Sequence, residues 1–100
     1  MIAAQRGNWA ESIAAAWLIE NGYEIFRGDG RASADFVALR DGICQRVEVK
    51  AATHTRDGGK RRKTPCIKDV HPEKFDMLMV VLDDCSVLIN PTAAQITGVR

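Results

Sequence analysis

Asp35 precedes a turn, and Glu48-Val49-Lys50 follows it, in the stretch SADFVALRDGICQRVEVKAA. Two carboxylates and an ammonium are unusual on strands that otherwise read as half-buried. Strand interiors of small proteins keep charges on the solvated face. Asp41-Gly42 is a dipeptide favoured in two-residue hairpin turns, which makes Arg40 face Ile43. The same register carried down the strands sets Asp35 directly opposite Glu48, with Lys50 two residues on and on the same face. Facing carboxylates repel, by roughly 0.2–1 kcal/mol on a sheet. Two arrangements offset that cost. One is a structural Asp-Lys-Glu ion cluster. The other is a hard divalent cation: Mg²⁺ is held by one or two carboxylates and completes its shell with water and substrate phosphate. Such an ion activates water and neutralises charge on a phosphodiester, while a neighbouring lysine orients or deprotonates the attacking water.

The elements that must position these groups follow from pattern. Asn8, three residues before Glu11, has the spacing of a helix cap with its reciprocal carboxylate. At about 100° per residue, Trp9, Ala10, Ile13, Ala14, Trp17 and Leu18 share one half of that helix. Asn21-Gly22 ends it. The segment YEIF then reads as a strand, RGDGRAS as a glycine-rich loop, and the hairpin about Asp41-Gly42 as two strands. GGKRRKTPCI reads as an irregular or edge segment, because Pro65 is unsuited to a central strand. A short helical turn spans His71 to Phe75, and DMLMVVL and SVLIN form two closing strands around Asp83-Asp84. The expected fold is α/β: one mixed sheet with a dominant N-terminal helix packed on it.

One hundred residues make a single domain, 1–100, with 46% hydrophobic and 27% charged residues, the balance of an ordinary globular chain. No run approaches the roughly 18 apolar residues of a membrane span, and MIAAQRGNWAES has no basic segment followed by an apolar one, so neither membrane nor secretion is expected. Three widely spaced cysteines, Cys44, Cys66 and Cys85, argue against a disulfide framework and for an intracellular, cytoplasmic setting. With His54 and His71 they lack the short spacing of structural zinc. Net charge is +1, yet residues 50–74 carry eight Lys or Arg against three acids. That concentration fits either a solvated loop or an anionic partner such as a phosphate backbone, with Lys60, Arg61, Arg62 and Lys63 as its densest run.

Asp35 followed by Glu48-Val49-Lys50 across one hairpin resembles the PD-(D/E)XK nuclease superfamily, and within it archaeal Holliday junction resolvases and endonucleases associated with group I introns. GNWAESIAAAWLIENGYEIFRG is similar to their glutamate-bearing opening helix, SADFVAL and RVEVKAA to their metal-site strands, and KFDMLMVVLDDCSVLINP to the closing hairpin of the intron-associated group. Residues 7–52 carry most of the likeness. Ala34 stands where the name-giving proline would be, and no clear long helix follows Lys50. The resemblance implies a restriction-endonuclease-like core and a Mg²⁺-dependent DNA endonuclease in which Mn²⁺ substitutes. It implies Asp35, Glu48 and the Val49 carbonyl as metal ligands, Glu11 approaching the metal directly or through water, and Lys50 as the catalytic lysine. Arg27, Arg31 and Ser33 become candidate DNA contacts. Two symmetric sites would cut both strands, so a homodimer or higher homo-oligomer on duplex or branched DNA is expected. The competing reading is a non-catalytic nucleic-acid-binding module that keeps the fold.

Overall fold

A computed structural model describes residues 2–28, 34–55 and 61–99. Helix α1 runs Ala3–Glu20. It begins five residues before the expected Asn8 cap, because Ala3, Ala4, Gln5 and Arg6 all favour helix. Its N-cap is Ile2, whose N–H donates to Gln5 Oε1 at 3.4 Å. Asn8 is therefore interior, where its carbonyl accepts the Ser12 hydroxyl at 2.9 Å. Glu11 is accordingly not part of a capping box. The helix ends as expected: Gly22 has φ +84°, its N–H donates to Ile19 O, and the Tyr23 N–H donates to Leu18 O, the paired bonds of a Schellman stop. Arg40 also donates to the Asn21 carbonyl at 2.9 Å and lies 4.1 Å from the Tyr23 ring centroid.

Strands β1 (Glu24–Arg27), β2 (Phe36–Arg40), β3 (Ile43–Ala51), β6 (Met77–Val81) and β7 (Val87–Ile89) form one mixed sheet in the order β1-β2-β3-β6-β7. The β3–β6 pairing is parallel and the others are antiparallel. Asp41 at φ 53° and Gly42 at φ 76° make the tight turn between β2 and β3, and Arg40 pairs with Ile43 as the dipeptide requires. A separate ribbon pairs β4 (Thr53–Thr55) with β5 (Arg61–Cys66). Of the irregular or edge segment expected here, residues 61–66 form a strand of this small ribbon, and Pro65 is accommodated next to its end, where its carbonyl accepts the Thr97 N–H at 2.9 Å.

Two cores flank the sheet. Ala10, Ala14, Ala15 and Leu18 of α1 pack on Phe36, Ala38, Val47, Val49, Met77, Met79 and Val81. Three alanines on that stripe let the helix lie close to the strands. The other face is covered by irregular chain: Ile67, Val70 and Ile96 close over Leu78 and Val80, with Phe75 and Val99 at the margin. Strand β6 is buried on both sides, as its unbroken apolar run MLMVV requires. Gly98, at φ +100°, allows the C-terminal segment to lie against Ile67; a Cβ there would stand 2.1 Å from the Ile67 carbonyl oxygen. Among the described residues no helix is long and apolar enough to cross a membrane.

Candidate active site

The regular β2–β3 pairing ends at Phe36 and Val47. Asp35 does not continue it as the facing partner of Glu48. Its N–H donates to Val47 O at 3.0 Å, and its carboxylate Oδ2 accepts the Val49 N–H at 2.8 Å. Its carbonyl accepts the Gly28 N–H at 3.3 Å. The chain bends just before β2, so Asp35 caps the edge that β3 exposes beyond its partner. The carboxylate is fixed at the rim of the sheet between its two faces.

Glu48 and Lys50 lie on the face away from α1, alongside Leu78 and Val80 of β6. Lys50 Nζ stands 3.6 Å from Glu48 Oε1, and both side chains are mostly buried. Glu11 comes from the helix side. Asp35 lies between them, electrostatically coupled to both glutamates. Burial, then Asp35, pushes the Glu11 carboxyl above its ordinary 4.5; Glu48 adds to this, and Arg27 opposes it. Burial and then Asp35 likewise raise Glu48, while Lys50 and Lys74 pull it back. The three acids therefore disfavour their own combined charge.

Glu11, Asp35, Glu48, Lys50 and Val49, five positions singled out from sequence, meet at one end of the sheet. Arg27 joins them: it is exposed, it acts on Glu11, and its guanidinium lies 4.9 Å from the Phe36 ring centroid. Arg31, Ser33 and Lys60 lie outside the described residues. Arg61, Arg62 and Lys63 lie on β5. Among the described residues no group of three or more His, Cys, Asp or Glu is arranged to hold a metal ion. Lys74 escaped the sequence reading. It belongs to a 3₁₀ turn, Pro72–Lys74, which the parallel β3–β6 pairing carries to the side of Glu48. The short turn was legible; the pairing that places it beside Glu48 has no local signature.

This mixed sheet with α1 packed on it is a restriction-endonuclease-like α/β core, a nuclease-like fold. The bacterial homing endonuclease I-Ssp6803I has a similar structure, with a TM-score of 0.69 over 95% of this chain and 72% of that chain, at 18% identity. In sequence, the chain is 42% identical over 52 residues to a UPF0102 protein of Maricaulis maris (strain MCS10), which spans 49% of this chain and 41% of that protein. The chain thus spans about two fifths of the length of the curated relative it matches. No family model matches.

Proposed function

We propose that residues 1–100 form a single PD-(D/E)XK-type domain acting as a divalent-metal-dependent DNA endonuclease. The observation that carries this reading is the meeting of Asp35, Glu48 and Lys50 at the open end of the β2–β3 hairpin, with Glu11 reaching them from α1. The donor set suits a hard cation in kind: Asp35 and Glu48 are half-buried carboxylates, Asp35 helps to push Glu11 and Glu48 above their ordinary range, and Mg²⁺ takes one or two carboxylates from a protein. Asp35, Glu48 and the Val49 carbonyl would hold Mg²⁺ or Mn²⁺, with Glu11 bound directly or through water. When bound, the ion supplies Lewis-acid stabilisation and a more acidic water.

The chain's own groups supply the rest. The Val49 N–H fixes the orientation of Asp35. Lys50, beside Glu48, orients the attacking water and takes or relays its proton. Arg27 would meet the phosphate backbone near the centre, and Arg31, Ser33, Lys60, Arg61, Arg62 and Lys63 would supply further contacts to DNA. A homodimer or higher homo-oligomer would bring two centres to two strands, in an intracellular setting. The likeness to a homing endonuclease supports the site-specific form over a Holliday junction resolvase. The test is incubation with supercoiled plasmid, linear duplex and a four-way junction, in Mg²⁺, Mn²⁺ or chelator. Metal-dependent nicking is expected. DNA binding without cleavage in either metal would leave a non-catalytic binding module instead.

A further inference from the structure

Between β3 and the turn leading into β6 lies a cleft of about 260 Å³, lined by Glu48, Lys50, Asp69, His71, Lys74 and Phe75. It opens on the sheet face that α1 leaves uncovered, and Glu48 belongs both to it and to the carboxylate cluster. Its cationic side comes from two separate elements, Lys50 from β3 and Lys74 from the turn, with His71 on the same turn. Phe75, half-buried against the second core, supplies an apolar wall. Two lysines beside an aromatic ring suit a ligand that is anionic at one end and apolar at the other.

The cationic wall is held in place. Arg46 on β3 grips Asp76 twice, Nε to Oδ2 and Nη2 to Oδ1, each at 3.1 Å, and the Arg46 N–H donates to Asp76 Oδ2 at 2.8 Å. The Asp76 N–H returns a bond to Arg46 O at 2.9 Å, Arg46 Nη1 donates to Glu73 O, and the Lys74 N–H donates to His71 O at 2.9 Å. These bonds fasten the turn to the strand that bears Glu48 and Lys50. Lys74 is near enough to act electrostatically on Glu48. Lys74, exposed on a fastened turn and lining the same cleft as Glu48, is placed to meet a strand lying across the carboxylates.

Building on the nuclease reading of this site, we propose that the cleft seats the nucleotide next to the scissile phosphate, its phosphate held by Lys74 beside His71 and its sugar against Phe75. Glu48 and Asp69 make the cleft a poor trap for a free, multiply charged anion. A DNA backbone brings one negative charge per phosphate together with an apolar sugar edge, which matches the lining better.

The test measures binding of a duplex oligonucleotide with Ca²⁺ in place of Mg²⁺, across a salt series, for wild type, Lys74→Ala and Lys74→Arg. Loss of one charge-assisted phosphate contact should weaken binding about tenfold and lower the log–log salt slope by about 0.9. Lys74→Arg should keep both values near wild type. In Mg²⁺ the alanine variant should lose more in KM than in kcat. Unchanged affinity and slope in Lys74→Ala would overturn the proposal, as would an arginine variant as impaired as the alanine one. A wild type that cuts DNA while Lys74→Ala binds normally refutes the seat alone. A wild type that binds with a Lys74-dependent slope but cuts in no metal supports the seat as a DNA contact and refutes the nuclease reading.

Discussion

Lys50 and Glu48 sit two residues apart on one strand face with their charges 3.6 Å apart, and this spacing is the part of the site that the primary structure states most directly. Side chains at i and i+2 of a strand must share a face. Lys50 is one cation among many that a DNA backbone would meet, but its ammonium is the one paired with Glu48 at 3.6 Å. Lys50→Ala should therefore abolish cleavage and leave much of the duplex affinity, since the Lys50 ammonium is already paired with Glu48 and other cations carry the backbone contacts. The check is cleavage and binding measured on the same preparation; cleavage near the wild-type rate would remove Lys50 from the reaction. Asp35 was legible as a residue and not as a geometry. The turn dipeptide does fix the register from Arg40 and Ile43 down to Phe36 and Val47, but the chain bends one residue before β2, and the carboxylate bonds the Val49 N–H instead of facing Glu48. A bend follows from what lies beyond the strand, and hairpin pattern does not encode that. Glu11 has the opposite history. Its spacing from Asn8 imitates a cap, and only the earlier start of α1 frees it for the site.

Element by element, local pattern served well where an element buries one defined stripe. The alternation and turn residues of β1–β3 and the Gly22 stop of α1 are of this kind. It served poorly where the partner is distant in sequence. The parallel pairing of β3 with β6 joins residues about 30 apart, and through it the 3₁₀ turn that precedes β6 becomes a wall of the site. The device that holds this turn is the Arg46–Asp76 pair, nearly half exposed yet made of several bonds in fixed geometry. Hydrogen bonds from the Arg46 side chain and then from its backbone pull the Asp76 carboxyl below its ordinary 3.8. A carboxyl lowered by folding contributes stability above its unfolded value, and that contribution disappears as pH falls through the folded value. Asp76→Asn should therefore lower the thermal midpoint at pH 7. Its deficit against wild type should shrink below about pH 3.8 and vanish at still lower pH. Thermal unfolding of both proteins from pH 7 to pH 2 reads this directly. A deficit that does not change with pH would mean that the Asp76 charge is not what holds the turn.

At the scale of the whole molecule, an acid cluster is tolerable if something restores its balance, and the fold offers two ways to do so. Lys50 with Lys74 offsets part of the charge from within; a divalent ion would offset the rest. The fold class itself followed from the order of elements, helix then hairpin then a closing strand pair, while the covering of the sheet's second face by irregular chain did not. Segments 67–71 and 91–99 have no periodicity to announce a layer, and their packing depends on single positions such as Gly98 against Ile67. The metal-centred account is tested most directly by global stability, because an ion bound only by the folded protein raises its unfolding free energy by RT ln(1 + [L]/Kd), about 2.7 kcal/mol at a hundredfold excess over Kd. The measurement is the thermal midpoint of wild type and Asp35→Asn as Mn²⁺ is titrated, alone and with a non-cleavable duplex bound. The expected result is a midpoint that climbs with Mn²⁺ in wild type. Asp35→Asn should be at least as stable without metal, since its amide oxygen still accepts the Val49 N–H and Glu11 and Glu48 lose a repelling neighbour, and it should gain far less from the ion. A wild-type midpoint indifferent to millimolar Mn²⁺ even on DNA, together with an Asp35→Asn protein destabilised without metal, would contradict the account and identify the cluster as a structural ion network.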